Sequence, residues 1–233
     1  MAILAIIPAR GGSKGIPKKN LAPLLEKPLI HYSIEAAKQS AEITHILFSS
    51  EDEEIVQRAR ECGIQVIYRR PAVLAEDHTP TWKATLHGLD WFEETNGTLP
   101  EMLVLLQPTC PLRTVNDIDN AIQQFRNSKA HSLVSVHEMA ELPYECVRVY
   151  NQTWSFLENP TVKVTRRQDY KSTCYYINGA IYIVTPEFLR EKKDFLQKGK
   201  SDLFVMEPKH GIDIDTMLEL KFAEFLLREK AAT

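Results

Sequence analysis

The feature that most limits how this chain can fold is its amino-terminal stretch. A continuous apolar run, Ile3-Leu4-Ala5-Ile6-Ile7, ends directly in Pro8-Ala9-Arg10-Gly11-Gly12-Ser13-Lys14-Gly15-Ile16-Pro17-Lys18-Lys19-Asn20. Five apolar residues without polar alternation suit a strand covered on both faces, as in a parallel sheet flanked by helices. The glycines at 11, 12 and 15 let backbone amides approach a ligand closely. Arg10, Lys14, Lys18 and Lys19 add four cations with no acid among them. Open α/β sheets place their ligands at the carboxyl ends of such strands, so the chemistry suggested is a polyphosphate held by amides and cations, the alternative being a solvated basic turn whose glycines serve only the fold. Gly15 is followed by Ile16-Pro17 rather than Lys-Ser or Lys-Thr, and G-x-G-x-x-G cannot be laid on these glycines. The P-loop and dinucleotide fingerprints are therefore absent.

Beyond this loop the chain alternates strand and helix. Spacing of Ile30, Ser33, Ile34 and Ala37 predicts an amphipathic helix over 29–40, and Ile43 to Ser50 a second strand. Glu53 to Cys62 is helical and stops at Gly63, in the position past the helix end that favours glycine. Gln65-Val66-Ile67-Tyr68 is expected to be a third short strand, and 82–94 a helix. Met102 to Leu106 is a central strand; Thr114 with Asp117 opens a helix anchored by Ile118, Ile122 and Phe125. Ser132 to Val136 is another strand, as is Tyr175 to Val184, with a turn-like interruption at Asn178-Gly179. Pro186 to Glu191 is a short helix, Lys192 to Lys200 an exposed loop, and Leu203 to Met206 a strand. The closing helix, Met217 to Lys230, is expected to pack through Leu218, Phe222, Phe225 and Leu226. The succession implies a doubly wound sheet in one α/β domain, residues 1–233, with an aromatic-rich excursion at 137–174.

Three further segments carry chemistry. Residues 69–81 crowd polar side chains between Pro71 and Pro80; Arg70 could meet phosphate, and Thr79 or Thr81 either binds a ligand or caps the next helix. Gln107, at the end of the central strand, could bond a base or ribose, or serve as a turn amide. In Gly211-Ile212-Asp213-Ile214-Asp215 the two aspartates share one face if the chain is extended, with Cα atoms about 6–7 Å apart. Paired carboxylates suit a hard divalent ion. Thr216 and Glu219 form a capping-box pattern that leaves Asp215 free of capping duty.

Composition excludes several classes. Lys plus Arg is 28 against 31 for Asp plus Glu, a formal charge of −3 over 233 residues. That balance opposes non-specific nucleic-acid binding and gives the basic loop a local meaning. No apolar run has the length of a membrane span and no leader pattern opens the chain. Cys62, Cys110, Cys146 and Cys174 lack metal-ligand spacing, and free thiols in a reducing cytoplasm are expected.

Taken in order, IIPARGGSKGIPKKN at 6–20, RRPAVLAEDHTPT at 69–81, LLQPTCPLR at 105–113, RRQD at 166–169, YINGAIYI at 176–183 and GIDIDT at 211–216 resemble the acylneuraminate cytidylyltransferase family, and cover nearly the whole chain. The resemblance implies a Rossmann-like nucleotidyltransferase fold with a mostly parallel central sheet and an inserted dimerisation segment at 137–174. It implies CTP as substrate, Mg²⁺ or Mn²⁺ as cofactor, and a homodimer. On the nucleotide side it points to Arg10, Gly11, Gly12, Ser13, Lys14, Lys19 and Asn20 in the loop, with Arg70, Thr79 and Gln107 around it. Gln107, Arg167 and Asn178 fall on the acid-sugar side, Asp213 and Asp215 at the metal. Arg10, Lys14, Asp213 and Asp215 would carry catalysis.

The implied reaction moves CMP from CTP to the anomeric hydroxyl of a nonulosonic acid and releases pyrophosphate. Some sialic-acid-activating relatives place a lysine within the stretch matching 138–148, where this chain has none, and RRQD continues here as Tyr170-Lys171. These departures favour N,N'-diacetyllegionaminic acid over N-acetylneuraminate, with pseudaminic acid behind. Kdo, a sugar 1-phosphate, or a non-catalytic nucleotide-sensing module are the remaining readings.

Overall fold

The computed structural model describes residues 1–158 and 173–232. The chain begins with β1 (Ile3–Pro8), whose alternate side chains enter two different cores, as a doubly covered strand requires. A two-residue hairpin, β2 (Pro23–Leu24) and β3 (Lys27–Pro28), leads into α1 (Leu29–Gln39) and β4 (His45–Ser49). Then come α2 (Glu53–Glu61), α3 (Thr81–Asn96), β5 (Met102–Leu105), α4 (Val115–Asn127) and β6 (Ser132–Glu138). The hairpin β7 (Val147–Tyr150) and β8 (Thr153–Phe156) precedes the long β9 (Tyr175–Val184). The chain closes with α5 (Pro186–Lys192), β10 (Ser201–Val205) and α6 (Met217–Ala232).

Six strands form one sheet in the order β10-β6-β9-β5-β1-β4. β9 is antiparallel to β5 and β6, and the other pairings are parallel. Ile3, Ala5 and Ile7 meet Ile34, Ile55 and Ile122, so α1, α2 and α4 cover one face. Leu4 and Ile6 meet Leu89, Phe92 and Phe188, so α3 and α5 cover the other. The chain leaves β1 for β4 on one side and later returns to β5 on the other. The sheet's switch point therefore lies between β1 and β5, with its crevice beyond Pro8 and Leu105.

Local signals set the element ends. Asp52 caps α2 by accepting from the Ile55 N–H at 3.0 Å, and Gly63 turns the chain away at φ +78°. Thr114 and Asp117 form a reciprocal capping box on α4. Thr216 and Glu219 do the same for α6. All four cysteines are free thiols. No helix among the described residues is long and apolar enough to cross a membrane.

Several expectations need correction. Gln65–Tyr68 is not a strand: Val66 and Tyr68 are buried and Ile67 faces out, but no backbone ladder joins this stretch to edge strand β4. An extended segment that tucks in alternate side chains has the same pattern as a paired one. Neither Thr79 nor Thr81 caps α3, whose N-cap is Pro80; the Thr79 hydroxyl donates to the Val73 carbonyl at 3.1 Å. The stripe assigned to α6 is also wrong. Leu220, Ala223 and Leu227 pack on Ile16, Leu24 and Leu29, while Leu218, Phe222 and Phe225 face solvent. In the 193–200 loop, Phe195 is buried against Tyr182. Residues 178–179 do not end β9, but its ladder with β6 shifts register there, with Gly179 at φ +74°.

Candidate active site

The crevice beyond β1 and β5 opens into a cavity of about 500 Å³. Its floor is the 9–20 loop, which its own polar groups fold into shape. Asn20 Nδ2 donates to the Arg10 carbonyl at 2.8 Å, and Ser13 Oγ donates to the Ile16 carbonyl while accepting from the Lys19 N–H. Ile16, almost fully buried beside Ile214, staples the loop to the segment carrying the two aspartates. Gly15 lies so close to that segment that a Cβ would sit 2.2 Å from the Asp215 carbonyl oxygen. Gly12 faces open space.

The cations are paired with acids from distant parts of the chain. Arg10 Nη1 lies 2.6 Å and Lys14 Nζ 2.9 Å from the two carboxylate oxygens of Asp77. These two cations hold the Asp77 carboxyl below its usual range. Lys19 Nζ is 2.7 Å from Asp215. Arg70 is buried and donates to Glu51 at 2.7 Å, and the other Glu51 oxygen accepts from the Gly11 N–H. Glu51 thus ties β4's end to the loop. Lys18 turns outward to Glu54 and does not line the cavity. The paired cations sit where an incoming polyphosphate could exchange with carboxylates.

Opposite the loop, Gln107 and Thr109 extend from β5, and the Ile214 N–H donates to the Thr109 carbonyl at 2.8 Å. This bond, with fully buried Ile214, turns Asp213 and Asp215 together into the cavity without a strand. Burial raises the Asp213 carboxyl above the ordinary range; Thr109 opposes this and neighbouring Asp215 adds to it. Among the described residues no lysine or arginine pairs with Asp213, and no three metal-ligating side chains stand together. Two carboxylates on one wall, one without a cation, fit a hard divalent ion that takes its remaining oxygens from phosphate and water.

The cavity brings together Arg10, Gly12, Ser13, Lys14, Lys19 and Asn20 from the loop. Arg70, Thr79, Gln107, Asp213 and Asp215 complete its expected walls. Gly11 faces Glu51 instead. Asn178 differs from expectation. It is buried, its Oδ1 accepting from Ser135 Oγ at 2.6 Å and from the Ala180 N–H at 3.1 Å, so it pins the β9 bulge and does not line the cavity. Arg167 lies outside the described residues. Sequence reasoning missed Asp77 and Glu51, whose only signal was an acid near a basic loop. A smaller hollow of about 270 Å³ adjoins the cavity through shared Thr81 and Gln107, walled by Val134, Ile177, Tyr182 and Phe195.

The cytidylyltransferase family profile matches residues 4–226. A pseudaminic acid cytidylyltransferase of Campylobacter jejuni subsp. jejuni serotype O:23/36 (strain 81-176) is 34% identical over 98% of this chain and 97% of its own. A CMP-N,N'-diacetyllegionaminic acid synthase of Legionella pneumophila is 33% identical over 97% of both chains. The solved structure of a CMP:2-keto-3-deoxy-manno-octonic acid synthetase complexed with CTP shares the fold. Its TM-score is 0.72 at 18% identity, over 99% of this chain and 100% of that one.

Proposed function

The chain belongs to the cytidylyltransferase family, and from that premise we propose that it transfers CMP from CTP to the anomeric hydroxyl of a nonulosonic acid. The observation that carries this reading is the polar cavity at the switch point, where Arg10, Lys14 and Lys19 face Asp213 and Asp215. Relatives named for pseudaminic and legionaminic acids, matching almost end to end, support the acceptor class.

In the reaction the acceptor hydroxyl attacks the α-phosphorus of CTP. A new sugar–oxygen–phosphorus bond forms as the bond to the β-phosphate breaks. The hydroxyl proton passes to water, and pyrophosphate leaves with the bonding electrons. The loop amides with Arg10 and Lys14, released from Asp77, would neutralise the leaving pyrophosphate, the main electrostatic demand of phosphoryl transfer. Gln107, shared by both hollows, would orient the acceptor against the nucleotide. Asp213 and Asp215 would hold Mg²⁺ or Mn²⁺, which supplies further neutralisation of phosphate charge when bound.

The adjoining hollow supports N,N'-diacetyllegionaminic acid over N-acetylneuraminate, and does not separate it from pseudaminic acid, which also ends in a methyl group. Its Val134, Ile177, Tyr182 and Phe195 walls suit a methyl-terminated sugar better than a hydrated glycerol tail. Incubation with CTP, Mg²⁺ and each acid should yield pyrophosphate plus a CMP-sugar; phosphate release without a CMP adduct would overturn the reading. Ranking kcat/KM for diacetyllegionaminic, pseudaminic and N-acetylneuraminic acids at saturating CTP sets the order. A preference for N-acetylneuraminate above about tenfold, or ~1.4 kcal/mol in the transition state, would reverse it.

The exposed hairpin supports a homodimer. Val149, Tyr150 and Trp154 are 68%, 74% and 64% exposed, an apolar patch of the kind that marks a protein interface. Light scattering at micromolar protein should give twice the chain mass, and Trp154→Glu should lower it to one.

A further inference from the structure

A second large cavity, about 670 Å³, lies where α1, the end of α6, the loop entering α4 and the turn before Asp213 meet. It shares no lining residue with the nucleotide cavity. Its walls combine two characters. Tyr32, Leu112, Val115, Leu226 and Leu227 supply an apolar surface, and the Tyr32 hydroxyl is already satisfied by the Leu24 carbonyl at 2.6 Å. Its charged lining is mainly cationic: Lys27, Lys209, Lys230 and Arg113 against Glu35 and Glu229. Glu35 is engaged by Lys38 at 2.8 Å and Lys209 by Glu207 at 2.7 Å, while exposed Lys27 makes no ion pair among the described residues.

Arg113 is the unusual member. It is 4% exposed, and among the described residues its guanidinium donates to the Ala180 and Gln107 carbonyls and the Ser33 hydroxyl. Its Nε is buried without a partner, and among the described residues no carboxylate pairs with it. Burial pushes its pKa down to about 10. A buried cation with no carboxylate in direct contact is costly; Asp117 offsets part of that cost from a distance, and Arg113 stands at the wall of a cavity whose other charges are mostly positive.

We propose that this cavity is a second ligand site, taking a small organic anion with an aromatic or branched apolar body. Its occupancy reaches the nucleotide cavity by two short routes. Arg113 Nη1 holds the carbonyl of Gln107, whose side chain lines that cavity. Lys209 precedes Asp213 by one turn of chain, and Thr109, just before the cavity's Pro111, holds the Ile214 N–H. An anion that draws Arg113 loosens its grip on both carbonyls and changes how Gln107 and the aspartates meet CTP.

Anilinonaphthalene sulfonate, an aromatic anion of this class, tests the site by fluorescence titration of the full chain. One saturable site per chain should persist at saturating CTP and weaken about tenfold or more in Lys27→Glu and Leu226→Glu. The apolar hairpin is a competing location, so Trp154→Glu serves as the control. Binding lost in Trp154→Glu but kept in the cavity variants, or displaced by CTP, would overturn the proposal. Should Leu226→Glu fail to melt cooperatively, Lys27→Glu, at an exposed position, decides alone. With the dye saturating, the KM for CTP should shift about fivefold or more; an unchanged KM would refute the coupling.

Discussion

Gly15→Ala isolates the contact that joins the 9–20 loop to the paired aspartates. Gly15 is not in the left-handed region, so alanine meets no backbone obstacle there. The obstacle is the Asp215 carbonyl oxygen, 2.2 Å from where the new Cβ would stand. That is more than 1 Å short of ordinary contact. The carbonyl cannot retreat cheaply. Ile214 is fully buried and its N–H is held by Thr109 at 2.8 Å, while the N–H groups of Asp215 and Thr216 both donate to Glu219. Either the 9–20 loop or the 213–216 segment must therefore move by about 1 Å, a displacement worth about 100-fold in rate when it misplaces reacting groups. Overpacking of this kind costs about 1–3 kcal/mol of stability. The assay is kcat/KM from pyrophosphate release, with a thermal melt of the same sample. Gly12→Ala is the matched control: it lies in the same loop, with nothing within 4 Å of the added carbon, and should melt as wild type. Wild-type turnover and melting in Gly15→Ala, or an equal loss of stability in Gly12→Ala, would refute the steric argument.

Asp213→Asn should lower turnover sharply yet raise the melting temperature at neutral pH. Its folded-state carboxyl pKa is raised by burial, so the folded chain binds more protons than the unfolded one between the two pKa values and stability falls as pH rises through that window. The gain over wild type should shrink as pH drops below the usual aspartate range, and a constant gain would contradict the assignment. Glu51→Ala leaves Arg70 buried without its carboxylate and should cost about 3–5 kcal/mol in denaturant titration; a loss near zero would mean water replaces the pair. Asp77→Asn frees Arg10 and Lys14 from their carboxylate and should lower the KM for CTP at low salt, the gain fading as ionic strength rises. A raised KM would show that Asp77 positions those cations instead of competing with phosphate.

The amino-acid sequence by itself determined the features whose causes lie within a few residues. The uninterrupted apolar run of β1 required cover on both faces, Thr114 with Asp117 wrote the start of α4, and Gly63 wrote the end of α2. The basic glycine-rich loop and the Asp213–Asp215 pair, which the fold brings to one cavity, stood out for the same reason: cations, glycines and alternating acids are local patterns. Other features were left to tertiary structure. α6 is apolar on more than one side, so periodicity alone could not choose the face holding Leu220 and Ala223 over the one holding Phe222 and Phe225. That choice belonged to Ile16, Leu24 and Leu29, which offer the matching surface. Val66 and Tyr68 look inward whether or not their backbone is paired, and only the position of β4 at the sheet edge without a further partner decided the matter. Arg10 meets Asp77 across 67 residues and Lys19 meets Asp215 across 196. Charge type is written locally, but which acid faces which cation is set by the strand order that brings remote loops to one rim.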